Sequence, residues 1–186
     1  MRRHYIIDTS ALVPFFVQIK PHDNKIRSSI LKLLELQEDK KAFLFIPNVC
    51  MAECSKALAG IAYGKYPHNY EKGCDTHARY VDTLLDLVST RKKGLIRTLA
   101  TKREHFVNIE EIFQLEYRME EREPKTLSGL DALIINRAKY HAKSSGAGLE
   151  KVYIVTMDTG IRAVCKSFPT ILPRAIDLLK DQIPDG

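Results

Sequence analysis

The chain has 186 residues, 45% of them hydrophobic and 28% charged, with a formal net charge of +6 and a pI near 9.1. That length suits a single domain with a sizeable core, and no apolar stretch approaches the roughly 18 residues of a membrane span. The positive balance favours a polyanionic partner such as a nucleic acid.

The start, Met1-Arg2-Arg3, is basic, but the apolar run behind it is cut by Asp8 and carries no small-residue cleavage site. A secretory signal is not expected. Four cysteines without an export signal are expected as free thiols, and the cytoplasm is the expected compartment. Cys50, Cys54, Cys74 and His77 lack a compact zinc-ligand spacing and are taken as packing residues.

Tyr5-Ile6-Ile7 is a short continuous apolar run, the pattern of a strand buried on both faces of a parallel sheet. Asp8 ends the run, and Thr9 or Ser10 is expected to cap a helix through Ala11-Leu12-Val13. A carboxylate at the carboxyl end of a buried strand stands where open α/β sheets bind ligands, the plainer alternative being a turn aspartate. Residues 22 to 37 then carry Ile26, Ile30, Leu33, Leu34 and Leu36 at mostly helical spacing. Ala42-Phe43-Leu44-Phe45-Ile46, closed by Pro47, follows as a second buried strand.

Asn48 is the expected N-cap of a helix running to about Ala62. At about 100° per residue Val49, Cys50, Ala57 and Gly60 fall within roughly 60° of Glu53, which puts this acid on the small, apolar side of its helix. Residues 64 to 74 are expected as a loop or frayed end. Asp75 opens a further helix through Tyr80, Leu84 and Val88, ending at Arg91-Lys92-Lys93-Gly94. Leu95 to Leu99 suits a short strand whose place in the sheet stays open.

Asn108-Ile109-Glu110-Glu111 has capping-box spacing before a charged helix to about Glu121. After a loop, Asp131 falls in the first turn of a helix through His141, with Ile134, Ile135 and Ala138 within about 60° of it. Val152 to Asp158 is the strongest strand signal, and Asp158 ends it as Asp8 ends the first. Thr170-Ile171-Leu172 is expected as a last strand, and Pro173 as the start of a terminal helix through Leu178 and Leu179. The expected architecture is a single α/β domain, three-layer α/β/α around a mostly parallel sheet, with a helical excursion between about residues 64 and 125.

Strand carboxyl ends and helix amino ends share one edge of such a sheet, so Asp8, Glu53, Asp131 and Asp158 can converge. Four uncompensated carboxylates repel one another, and an all-oxygen set suits Mg²⁺ or Mn²⁺. Such ions turn water into a nucleophile and clamp a phosphodiester. The plainer alternatives are a cap or helix-surface charge for Glu53 and Asp131, and a turn role for Asp158. Arg91, Lys92, Lys93, Arg97, Lys102 and Arg103 offer a basic path for RNA, or only a solvated face.

These pieces resemble a known family. Ile6-Ile7-Asp8-Thr9-Ser10-Ala11-Leu12, Ile46-Pro47-Asn48-Val49 through Glu53, Leu130-Asp131-Ala132 through Ala138, and Ile154-Val155-Thr156-Met157-Asp158 are, in order and spacing, similar to PIN-domain ribonucleases, above all the VapC-type toxins of toxin-antitoxin pairs. The resemblance implies a metal site built from Asp8, Glu53, Asp131 and Asp158, with Ser10 and Thr156 as supporting hydroxyls, cutting RNA with Mg²⁺ or Mn²⁺. It also implies an antitoxin protein as partner and allows a homodimer. A catalytically inactive PIN-like RNA-binding or scaffold subunit is the alternative. A haloacid dehalogenase-type phosphatase fits less well, since its second Asp would fall where Ser10 stands, and a receiver domain lacks its paired acids at a strand end.

Overall fold

In the computed structural model, residues 2–64, 72–88, 94–119 and 127–184 are described. The expected basic residues Arg91, Lys92 and Lys93, residues 65–71 of the expected loop or frayed end, and residues 120–126, where the charged helix is expected to end and a loop to follow, lie outside them. The apolar runs form strands as their composition dictates: β1 (Arg3–Ile7), β2 (Ala42–Pro47), β3 (Ile96–Leu99), β4 (Val152–Val155) and β5 (Arg174–Ile176). Tyr5, Ile6, Ile7, Leu44, Ile46, Val152, Ile154 and Val155 are all fully buried, as a sheet covered on both faces requires.

All four pairings are parallel, in the order β3-β2-β1-β4-β5. Between the strands run α1 (Thr9–Phe16), α2 (Asp23–Glu38), α3 (Asn48–Ala62), α4 (Cys74–Val88), α5 (Arg103–Val107), α6 (Ile109–Tyr117), α7 (Gly129–Ser144) and α8 (Thr159–Ser167). Right-handed crossovers put α1 to α4 on one face and α5 to α8 on the other. Packing of α1 on α2 and α3, and of α7 on α5, α6 and α8, follows that division. Among the described residues no helix is long and apolar enough to cross a membrane.

Within the helical excursion from 64 to 125 the short strand expected at Leu95 to Leu99 forms as β3, and its open place in the sheet is the edge beside β2. Several local expectations are corrected. Neither Thr9 nor Ser10 caps α1. Asp8 holds the N-cap position, and Thr9 Oγ1 donates instead to the carbonyl of Cys50 at 3.2 Å. Asn48 does not cap α3 either, since Pro47 holds that position. The Asn48 amide oxygen accepts from the backbone N–H and hydroxyl of Thr101, at 3.1 and 2.6 Å, and so ties α3 to the chain leaving β3. Asn108 precedes α6 without a side-chain cap bond.

No helix follows Pro173. Residues 174–176 pair with β4, and Asp177 closes a turn by accepting Leu179 N–H on its carboxylate at 2.9 Å. Thr170 to Leu172 is that strand's approach, a turn folded onto the Phe168 carbonyl. The last segment then crosses to the α2 side, where Lys25 Nζ donates to the Leu179 carbonyl at 2.5 Å and the Tyr5 hydroxyl to Pro184 at 2.6 Å. The four cysteines are free thiols, with Cys50, Cys54 and Cys165 buried and Cys74 exposed.

His4 on β1 and His141 on α7 meet at 2.9 Å, Nδ1 to Nε2, against the rings of Phe43 and Phe45. Burial, then the nearness of His4 and Arg137, lowers the His141 pKa to about 4 from 6.5. Between those values the unfolded chain binds a proton that the native chain refuses, so His141 favours folding above 6.5 and progressively less as pH falls toward 4. The urea midpoint is therefore expected to drop between about pH 7 and about pH 5, and His141→Gln to make that drop shallower. Parallel pH profiles for the two proteins would contradict this.

Candidate active site

The chain builds β1, β2 and β3 outward in one direction and then returns to place β4 on the other side of β1. Strand order thus reverses between β1 and β4, and the crevice beyond the carboxyl ends of two such strands is where open α/β sheets bind ligands. Asp8 directly follows β1 and Thr156 directly follows β4, with Asp8 N–H bonded to the Val155 carbonyl at 3.0 Å.

Asp8 is 5% exposed. Its Oδ2 accepts the Ser10 hydroxyl at 2.5 Å and the Thr156 hydroxyl at 2.8 Å. Each hydroxyl in turn accepts a backbone N–H, Ser10 from Met157 at 2.9 Å and Thr156 from Asp158 at 3.0 Å. Each hydroxyl has one proton to give, and Asp8 Oδ2 is the charged acceptor within reach of both, although the two hydroxyls also lie 3.2 Å from each other. On the other side the Cys50 thiol lies 3.9 Å from Oδ1. Burial raises the Asp8 pKa and the charge of Glu53 adds to the rise, against the lowering effect of the Ser10, Thr156 and Thr9 hydrogen bonds.

Glu53 therefore acts electrostatically on Asp8, but it is not the buried acid expected from the helical wheel. The buried stripe of α3 is Cys50, Cys54, Leu58, Ile61 and Ala62, and Glu53 stands exposed beside it. Its wheel neighbours Val49, Ala57 and Gly60 are themselves only partly buried and do not enclose it. Burial pushes up the thiol pKa of Cys50, and Asp8 and Glu53 raise it further.

Asp131 and Asp158 both occupy helix amino ends, where the dipole favours a carboxylate. Asp131 forms a reciprocal capping box with Ser128, accepting its N–H at 2.8 Å and donating its own to the Ser128 hydroxyl at 3.2 Å. Asp158 caps α8, with Oδ1 accepting from Gly160 at 2.8 Å and Ile161 at 3.1 Å. Both are half-buried. The network joins Asp8, Ser10, Thr156 and the backbone of Asp158, whereas the bonds of Asp131 stay in its own cap. Among the described residues no three His, Cys, Asp or Glu side chains are grouped to hold a metal ion.

A hard divalent ion does not require three protein ligands, because Mg²⁺ commonly takes one or two carboxylates and completes its shell with water and phosphate oxygens. Asp8 and Glu53 fit that narrower demand through their oxygen chemistry and mutual repulsion. Of the expected RNA contacts Arg97, Lys102 and Arg103 are described, all three exposed, with the Arg97 guanidinium on β3 4.6 Å from the centre of the Phe43 ring. The roles of Thr9 and Cys50 around Asp8 were not foreseen. The only sequence signal for Thr9 was its place beside Asp8, and Cys50 had none beyond lying one turn before Glu53.

No protein-family model and no curated protein sequence matches the chain. Among solved structures it is similar to a chain in the structure of FitAB bound to an IR36 DNA fragment, at 13% identity over 96% of this chain and 98% of that one, with a TM-score of 0.60. It is also similar to Mycobacterium tuberculosis VapC20, described as a sarcin-ricin loop cleaving toxin, at 13% identity over 86% and 93% of the two chains, with a TM-score of 0.49. With its all-parallel five-stranded sheet and a likeness to the first structure over nearly the whole of both chains, the protein has the three-layer α/β/α architecture of the PIN-like fold.

Proposed function

We propose that the chain is a metal-dependent ribonuclease of the VapC type, hydrolysing RNA phosphodiester bonds at the edge marked by Asp8. The observation that carries the reading is the buried Asp8 carboxylate, held by Ser10 and Thr156 at the strand-order reversal with the Glu53 charge beside it. Asp8 and Glu53 would hold the Mg²⁺ or Mn²⁺, and Asp131 and Asp158, at helix amino ends of the same edge, complete the acid set. The chemistry such an ion would supply there is a lowered pKa for an attacking water and an offset to the charge of the phosphodiester. The two hydroxyls fix the orientation of Asp8, so that Oδ1 is the oxygen turned from their protons. Arg97, together with Arg91, Lys92 and Lys93, would guide the RNA backbone.

The fold is shared with a chain from a complex captured on DNA, which supports the search for an antitoxin-like partner protein, and homodimer formation belongs to the same reading. The test is cleavage of labelled RNA after chelation and after return of Mg²⁺ or Mn²⁺. Activity only with the returned ion is expected, and full activity in excess EDTA would sink the reading. The engagement of Asp131 and Asp158 in caps favours one second reading, an RNA-binding scaffold of the same fold. It predicts RNA retention without cleavage at any metal concentration.

A further inference from the structure

A groove of about 450 Å³ runs along α7, with Asn136, Lys139, Tyr140, Lys143, Leu149 and Ile171 in its lining. That volume lies in the range of about 300 to 1,000 Å³ common for small-ligand sites. Asn136 is 5% exposed, yet its side chain is only half used. Its Nδ2 donates to the His105 carbonyl at 2.7 Å, which fixes the amide so that Oδ1 is left as the acceptor. Among the described residues no donor reaches that oxygen, and it is not sealed from solvent. A buried amide that lines a cavity with a spare acceptor calls for a ligand carrying an N–H or O–H donor.

The other walls narrow the ligand class. Tyr140 is 38% exposed, and the His105 ring steadies it edge to face at 4.8 Å. Lys139 is neutralised by Glu111 at 2.6 Å, whereas exposed Lys143 has no acid partner among the described residues. Leu149 and Ile171 add apolar surface. A donor, a flat ring and a negative charge within one small ligand describe a nucleotide. We propose that this groove is a nucleobase subsite, taking an unpaired base that bears an exocyclic amine (adenine, cytosine or guanine) with that amine toward Asn136 Oδ1, its ring on Tyr140 and its phosphate at Lys143. Uracil is disfavoured because carbonyls flank its single N–H donor and face the same acceptor.

Placing an RNA base there rests on the ribonuclease reading. Asn136, Tyr140 and Lys143 lie five, nine and twelve residues along α7 from Asp131, about 7.5, 13.5 and 18 Å of helix rise from the acidic edge, so the base in the groove would belong to a nucleotide away from the one at that edge.

The experiment is fluorescence anisotropy of labelled oligoadenylate and oligouridylate in EDTA, with unlabelled AMP as competitor. Oligoadenylate is expected to bind several-fold more tightly than oligouridylate, Tyr140→Ala to weaken it about tenfold, and Lys143→Gln to lower the salt dependence by about one counterion. Both substitutions are at partly or fully exposed positions, so a change in folding is detectable separately by circular dichroism. Displacement by AMP assigns the shared nucleotide chemistry, and oligonucleotide effects without AMP displacement assign the site to a base within RNA. Unchanged oligoadenylate binding in both variants overturns the subsite. Because binding is measured without metal, absent cleavage alongside intact, Tyr140-dependent binding overturns the nuclease reading alone.

Discussion

Asp8→Asn is expected to fold like the native chain while losing at least about 100-fold in the rate of RNA cleavage. That loss is at or above the roughly 10- to 100-fold range typical of outer-shell partners, because the substitution removes a proposed ligand itself. The fold should survive because burial already disfavours the Asp8 charge, and an amide oxygen can accept both the Ser10 and Thr156 hydroxyls. Ser10→Ala and Thr156→Val should fall between, each losing about 10- to 100-fold through a loosened Asp8. The check is single-turnover cleavage of labelled RNA beside urea unfolding of each variant. Equal rates for Asp8→Asn and the native chain would remove Asp8 from the chemistry.

Arg162→Met is expected to cost about 3 to 5 kcal/mol of stability, the largest effect foreseen for a residue away from the acidic edge. Arg162 on α8 reaches Asp177 after β5, Nη1 to Oδ2, at 2.6 Å, and Asp177 is only 3% exposed. Without the guanidinium the carboxylate remains buried with hydrogen bonds but no counter-charge. Arg162 Nε also donates to the Asp158 carbonyl at 3.2 Å, so the same side chain braces the amino end of α8. The double variant Arg162→Met, Asp177→Asn should recover part of the loss, since an amide needs no cation. Urea unfolding of the three proteins measures this, and a loss below about 1 kcal/mol for Arg162→Met would place the pair with ordinary surface bridges.

The surroundings of the candidate acids are legible in the sequence to different degrees, for a local reason. Asp8 and Thr156 are found because each directly follows a dense apolar run whose buried strand character is set within a few residues. Glu53 is harder, because a helical wheel reports which side chains share a direction but not whether a neighbouring element covers them. Val49, Ala57 and Gly60 are too small or too partly covered to hide it. Asp131 illustrates the limit in another way: its apolar wheel neighbours are indeed buried, yet its carboxylate is bound by Ser128, whose spacing is itself that of a capping box.

The parallel α/β character, the first two strands, the fourth strand and the main helices follow from the chain's own periodicity, because burying an apolar run or stripe is a demand each segment carries with it. Which segments become neighbours is decided by packing across the whole molecule. Three residues, Arg174 to Ile176, become a strand only because β4 offers its hydrogen-bonding edge, and Asn48 leaves its helix cap because β3 settles beside β2 and brings Thr101 within reach. The meeting of Asp8 with Thr156, 148 positions later, is likewise a product of strand order. A hydroxyl and a carboxylate so distant along the chain have no local preference for one another until β1 and β4 lie side by side.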